Sequence, residues 1–377
     1  MRCFLSFCCM AIAPAFCIAA EPQGIVITHS PTKTKAYIGS PSIVKLPDGE
    51  LLASHDFFGP GTNFDTSEVF ASSDAGKTWK LRATLKNQWW STLFTHGNAV
   101  YIIGTTKEYG QTVIRRSTDV GKTWTEPKDA ESGLLLADGQ YHCAPVPIVL
   151  HKGRLWRAME QFTGPKWGAF QAFVMSVPED ADLLKAKNWT STNKLDRNLK
   201  WLNGGFQAWL EGNIVPTPDG KLVNILRVQQ PEHNELAAIV RIIDEKTIAF
   251  DPEKDFITFP GGAKKFQIRL DPKSKTYYAL ASTIPEKYRV ENLKPGSIRN
   301  TLSLMRSADL VKWEEVRVLI QDDEVKTSGF QYPDWLFDGD DIIAAVRTAF
   351  PEKDGTKAHN AHDANYLTFH RFAHFRK

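Results

Sequence analysis

From residue 21 onward the hydrophobic positions fall in short runs rich in Val, Ile, Leu, Phe and Tyr, broken every 8 to 12 residues by Asp-Gly, Asn-Gly or Pro-containing turns. Runs of that length and spacing predict β-strands joined by tight turns, as in a sandwich, barrel or propeller. SIVKLPDGELLAS, Ser42 to Ser54, reads as strand, Pro-Asp-Gly turn, strand, and NIVPTPDGKLVNILRV, Asn213 to Val228, repeats it. Looser versions run from Thr92 to Thr105, Pro147 to Met159, Gln267 to Ser282 and Asp334 to Thr348, which makes six hairpins. EDADLLKAKNW, Glu179 to Trp189, is the one stretch that offers a short helix.

Shared among six units, residues 21–377 give about 60 each, enough for a four-stranded propeller blade of about 40 to 50 residues plus loops. The expected fold is all-β: a six-bladed β-propeller with four-stranded antiparallel blades, in a single domain spanning 21–377. A second repeat fits inside that frame. SSDAGKTW, Ser72 to Trp79, and STDVGKTW, Ser117 to Trp124, are two copies of S-x-D-x-G-K-T-W, placed where the outer strands of a blade would be joined. The Ser and Asp side chains suit turn amides, the Gly suits a positive φ, and the Trp suits burial between strands. SADLVKW, Ser307 to Trp313, reads as a shorter copy without the glycine, and Trp189 as the end of a fourth. GIVIT, Gly24 to Thr28, is expected to pair with NYLTFHRF, Asn365 to Phe372, and so close the ring.

Composition adds the setting. The chain of 377 residues is 42% hydrophobic and 24% charged, with a net charge of +3 and no long like-charge run, so neither nucleic acid nor a membrane surface is implied as partner. Residues 1–20, MRCFLSFCCMAIAPAFCIAA, have the layout of a secretory signal peptide, which predicts a secreted or periplasmic protein without a membrane span. Four of the five cysteines lie in that leader, leaving Cys143 alone and the mature chain without an internal disulfide. A monomer is expected. No phosphate loop or nucleotide motif is present, so no cofactor is expected. His359, His362 and Asp363, with His142, lack the spacing of a zinc site.

The repeated motif is the Asp-box, or BNR repeat, and with six hairpins and a leader the chain resembles the sialidase (neuraminidase) superfamily of six-bladed propellers. The resemblance implies an exo-acting glycoside hydrolase that cleaves terminal, acidic sugars from glycans or oligosaccharides. Members of that superfamily use a tyrosine nucleophile assisted by a glutamate, arginines that grip a carboxylate, and an aspartate acid/base. A neutral phenol approaches an anomeric carbon bearing a carboxylate where a second carboxylate would be repelled. By resemblance, GFQYPDWLFDGDD supplies Tyr332, WLEGNIVPTPDGKLVNILR supplies Glu211 and Arg227, and GSIRNTLSLMRSADL supplies Arg299. Asp56, at the root of the loop after the first hairpin, is the expected acid/base, with Asp65 in reserve and His55 beside it.

One departure stands out. Where the superfamily has an arginine early in the first blade, YIGSPSIV places Gly39 or Ser40. Arg157 or Arg347 is then the residue to look for on the axis, since an arginine fork is the strongest polar grip on a carboxylate. Tyr141 and His142, at the start of the third blade, keep open a polysaccharide lyase that eliminates at a uronic acid, and a non-catalytic glycan-binding propeller remains a further alternative.

Overall fold

A computed structural model describes residues 21–230, 235–289 and 293–377. The leader expected at 1–20 lies outside the described residues. Six antiparallel sheets of four or five strands follow one another along the chain. The first blade is built from Tyr37–Ile38 with Ser42–Lys45, then Leu51–Phe58, Thr66–Ser72 and Lys80–Lys86. The second runs from Trp89 to Leu136, the third from Gln140 to Ser191, the fourth from Ala208 to Thr258 and the fifth from Gln267 to Gln321. The sixth takes Gly329–Asp338, Asp341–Ala349 and Tyr366–Phe372 from the end of the chain and Ile25–His29 from its beginning. The protein is therefore a six-bladed β-propeller whose two chain ends share one sheet.

That closure follows the expected pairing. Ile25 lies opposite Phe369, Val26 opposite Thr368 and His29 opposite Tyr366, with a register shift between Val26 and Thr28. The core lies between blades. Separate clusters of buried side chains join neighbouring sheets, for example Ile43, Leu51, Ala53 and Phe70 of the first blade with Ile343, Leu367 and Phe369 of the sixth.

Both full copies of the repeated turn have one geometry. Ser72 Oγ donates to Asp74 Oδ1 at 2.8 Å and accepts from Gly76 N at 2.9 Å, and Ser117 does the same with Asp119 and Gly121. Each indole N–H bonds the carbonyl of the turn glycine, Trp79 to Gly76 at 3.1 Å and Trp124 to Gly121 at 3.0 Å. The rings are half-buried against the core rather than fully enclosed. In the short copy Leu310 takes the glycine's place at φ 68, and Trp313 bonds its carbonyl at 3.0 Å. The fourth copy is not found: Trp189 Nε1 bonds Leu183 O from the end of a longer connection. Of the helix expected over 179–189 only a 3-10 turn, Ala186–Asn188, forms. No helix among the described residues is long and apolar enough to cross a membrane.

Near the axis the inner strands are tied by polar side chains. Leu93 N and Asp334 Oδ2 both bond Ser42 Oγ, Asn213 Oδ1 accepts from Ile268 N, and Gln267 Nε2 donates to Asp334 Oδ1. Two residues before this belt, three inner strands break register, between Trp89 and Thr92, Leu210 and Asn213, and Gln331 and Asp334. The extra residues, Trp90, Glu211 and Tyr332, all have positive φ, at 49°, 60° and 52°. A bulge of this kind re-aims a side chain, and here each turns toward the axis.

Candidate active site

The bulges open into a cavity of about 280 Å³ at the centre of one face of the propeller. Tyr332 and Glu211 meet in it: the phenol donates to Glu211 Oε1 at 2.6 Å. The other carboxylate oxygen accepts from Arg227 Nη1 at 3.0 Å, and the same nitrogen lies 3.4 Å from the Tyr332 oxygen. Burial pushes the Glu211 carboxyl up, but the Arg227 guanidinium and the Tyr332 hydroxyl outweigh it and hold the group below the usual range. Burial, and then the Glu211 charge, push the Tyr332 phenol up against three guanidiniums. The resting pair is thus a neutral phenol hydrogen-bonded to a carboxylate.

Three arginines line this cavity, Arg227, Arg299 and Arg347. Arg299 donates to Gln331 Oε1 at 2.5 Å, and Gln331 is held in turn by the carbonyls of Ala361 and His362. Arg347 donates to His362 O at 2.5 Å and lies over the rings of Phe58 and Tyr332 at 4.4 and 4.9 Å. Burial lowers Arg299 to about 9, still charged at neutral pH. The Nε atoms of all three are buried without a hydrogen-bond partner.

The missing first-blade arginine has a steric reason. A Cβ on Gly39 would stand 1.7 Å from Asp56 Oδ1, so no side chain fits there while Asp56 holds its place. Asp56 is fixed by two backbone donors, Ser40 N to Oδ1 at 2.8 Å and Trp90 N to Oδ2 at 2.7 Å. Burial raises its carboxyl despite these bonds. Asp56 lines the cavity, and each of its oxygens accepts one backbone N–H from the rim.

Other expectations are corrected. His55 does not reach the cavity: adjacent strand residues face opposite sides, and with Asp56 inward His55 packs between Phe57 and Phe70. Arg157 lies beneath the floor, bonding Thr92 Oγ1 at 2.8 Å and Ala144 O at 3.2 Å. Asp65 accepts from Thr66 Oγ1 at 2.7 Å and does not line the cavity. Tyr141 bonds Asp138 away from it. His142 does line it, with Nδ1 2.9 Å from Glu160 Oε2 and its ring 4.3 Å from Trp90. His359 and His362 both bond Asp363, and partial burial with Arg347 nearby lowers the His362 imidazole.

No sequence motif marks the rest of the lining. Phe64, Trp89, Trp90 and Trp167, with Glu108, also line the cavity, and Phe58 lies under Arg347. The cavity is polarised: the fourth to sixth blades bring the arginines, and the first three bring aromatic rings. Phe58, Trp89 and Trp90 sit in strand-like runs that read as core, Phe64 and Trp167 in Gly/Pro loops, and Glu108 in a loop without distinguishing pattern.

No family model matches the chain, and no curated protein matches it. Solved structures share its fold. A protein of unknown function from Dyadobacter fermentans is 14% identical over 94% of this chain and 99% of its own, with a TM-score of 0.61. The GH93 α-L-arabinofuranosidase of Fusarium graminearum, in complex with arabinobiose, is 14% identical over 92% and 97%, with a TM-score of 0.57. Trypanosoma rangeli sialidase is 16% identical over 89% of this chain but 55% of its own, with a TM-score of 0.55. At these identities the likeness is one of fold.

Proposed function

We propose that the protein is a propeller glycoside hydrolase that removes a terminal acidic sugar, with Tyr332 as nucleophile, Glu211 as its base and Arg227, Arg299 and Arg347 as the carboxylate grip. The observation that carries this reading is the 2.6 Å bond between Tyr332 and Glu211 on the floor of a cavity lined by three arginines. As the phenol oxygen attacks the anomeric carbon, its proton passes to the carboxylate already bonded to it, so no like charge is driven toward the substrate. Arg227 keeps Glu211 ionised and oriented, while Arg299 and Arg347 are left to meet a substrate carboxylate. Three guanidiniums gathered beside Tyr332 favour an anion at that end of the cavity, while the carboxyl groups of Asp56 and Glu108 line it elsewhere. The fold neighbours that cleave arabinosides and sialosides make a glycan the natural occupant. A signal peptide would deliver the enzyme outside the cytoplasm.

The test is turnover on a panel of terminal-sugar glycosides, acidic and neutral. Tyr332→Phe keeps the ring and removes the attacking oxygen, and it should abolish hydrolysis. Arg299→Met and Arg347→Met should weaken acidic substrates by about 10- to 100-fold in kcat/KM and spare neutral ones, since a hydrogen bond to a charged group is worth about 1.5 to 3 kcal/mol. Parent-like rates in Tyr332→Phe would overturn the reading. His142, oriented by Glu160, is the group a lyase would use; an unsaturated product absorbing in the ultraviolet, lost on His142→Ala, would replace hydrolysis with elimination.

A further inference from the structure

Hydrolysis with a poor leaving group needs a proton delivered to the departing oxygen, and neither Tyr332 nor Glu211 stands on that side. If a sugar carboxylate lies against the arginines, the rest of the glycan must leave across the half of the cavity walled by Phe64, Trp90 and Trp167. One carboxylate there is free. Glu108 lines the cavity from the loop joining two strands of the second blade, Ala99–Thr105 and Thr112–Ser117. Its carboxylate has neither a hydrogen-bond nor an ion-pair partner among the described residues. Its position is nonetheless set by the backbone: Glu108 N donates to Phe64 O at 3.0 Å, Thr106 N to Gln111 O at 2.9 Å and Gly110 N to Lys107 O at 2.8 Å. The next residue, Tyr109, at φ 51, stacks on Phe162 at 4.1 Å and pins the loop from the other side.

Resting on the reading above, we propose that Glu108 is the acid and base at the leaving group. In the first step the protonated Glu108 gives its proton to the glycosidic oxygen as the bond to the anomeric carbon breaks. Tyr332 bonds to that carbon and Glu211 takes the phenolic proton. In the second step the Glu108 carboxylate takes a proton from water, the hydroxide oxygen bonds to the anomeric carbon, and Tyr332 departs and recovers its proton from Glu211. One water is consumed, and Glu108, Tyr332 and Glu211 all return to their starting states. Half-burial raises the Glu108 carboxyl, with the His142 charge opposing, which favours the protonated form the first step needs. Asp56 is the rival for this role, but its oxygens each accept a backbone N–H.

The experiment uses 4-methylumbelliferyl glycosides of N-acetylneuraminic, glucuronic and galacturonic acids and of arabinofuranose, with the methyl glycoside of whichever sugar the parent protein cleaves. Glu108→Gln, on a half-exposed loop, should keep the parent melting temperature. Turnover of the methyl glycoside should fall by about 100- to 10,000-fold, the usual contribution of a positioned acid. The aryl glycoside, whose leaving group needs no proton, should lose less than about tenfold in bond cleavage. Azide should accelerate Glu108→Ala on the aryl substrate and yield the glycosyl azide, because an anion needs no base. Equal losses on both substrates, or none on either, would overturn the proposal, as would the same selective loss in Asp56→Asn. Cleavage that depends on Tyr332 but not on Glu108 would remove this assignment and leave the nucleophile standing. Absence of cleavage of every substrate by the parent would remove both.

Discussion

Trp90, Glu211 and Tyr332 are side chains whose backbone sits in the left-handed region, at a cost of about 1 to 3 kcal/mol each for a residue other than glycine. The belt of inter-blade hydrogen bonds two residues further on holds that strain in place, and the return is a phenol and a carboxylate delivered to the same point. Lys265 occupies the equivalent place on the fifth blade but without the bulge. Its ammonium is buried and bonds Pro333 O at 2.5 Å, next to Tyr332. Burial lowers it to about 8, with Asp334 and Glu211 opposing and Arg269 assisting. A lysine lowered on folding holds fewer protons than in the unfolded chain, where it titrates near 10.4, so its contribution to stability rises as pH climbs from 8 toward about 10. The stability of the parent relative to Lys265→Met should therefore rise over that window, and a difference that does not change with pH would show that the ammonium is not buried. The cavity lining is partly legible in the sequence. Resemblance points to Tyr332, Glu211, Arg227 and Arg299, which line it, whereas Arg157 does not, as counting from the hairpin turns explains. Asp56 and Arg227 lie seven residues beyond Gly49 and Gly220, and Arg347 eight beyond Gly339, but Arg157 only four beyond Gly153. At about 3.3 Å per residue that leaves Arg157 about 10 Å too low.

The Ser-x-Asp turns act as elements, not as chemistry. Asp74 and Asp119 are held at about 2, Asp74 by the Thr78 hydroxyl and amide and Asp119 by the Thr123 amide and hydroxyl, so both stay ionised through most acid conditions. Their tryptophans are docked on the same carbonyl in every copy, the short one included, and it is this docking that the repeated sequence preserves. The short copy shows how the glycine was dispensed with. It omits one of the two positive-φ residues of the full turn, and the strain at Leu310 is offset by burying the leucine among Phe259, Phe266 and Met305. Trp79→Ala and Trp124→Ala should each lower unfolding free energy by about 2 kcal/mol, below the value for a fully buried ring because these are half-buried. Turnover per folded molecule should not change. Denaturant titrations alongside active-site titration would check both, and lost turnover with an unchanged midpoint would reverse the assignment. These turns and the six hairpins were the most legible part of the sequence, since local backbone chemistry dictates them. The aromatic lining was not: Phe58, Trp89 and Trp90, in strands, read alike whether they face a neighbouring blade or a cavity, and Phe64 and Trp167 sit in loops whose position no local pattern dictates.

On the scale of the whole molecule, closure decides whether the cavity exists. The arginine half of the site comes from the last three blades and the aromatic half from the first three, so the two face each other only if the ring is sealed. The seal is a single strand. Ile25–His29 pairs along Tyr366–Phe372, Ser30 N reaches Asn365 O at 2.8 Å, and His29 stacks on Tyr366 at 4.4 Å. A second contact supports the same joint: Ile38 N donates to Ala364 O at 2.9 Å, tying the first blade to the loop that carries His362 and braces Arg347. Removing residues 21–30 would leave the N–H and C=O groups of Tyr366–Phe372 open along one edge and uncover Leu367 and Phe369, an edge that invites pairing between molecules. The deletion should aggregate or melt well below the parent, and because Arg347 lies on the neighbouring strand, any soluble fraction should, on the proposed reading, lose affinity for acidic sugars before it loses secondary structure. Light scattering with far-ultraviolet circular dichroism would follow the first effect and acidic-glycoside binding the second. A soluble deletion protein with the parent's melting temperature and affinity would mean that the ring is held by contacts between blades and not by the shared strand.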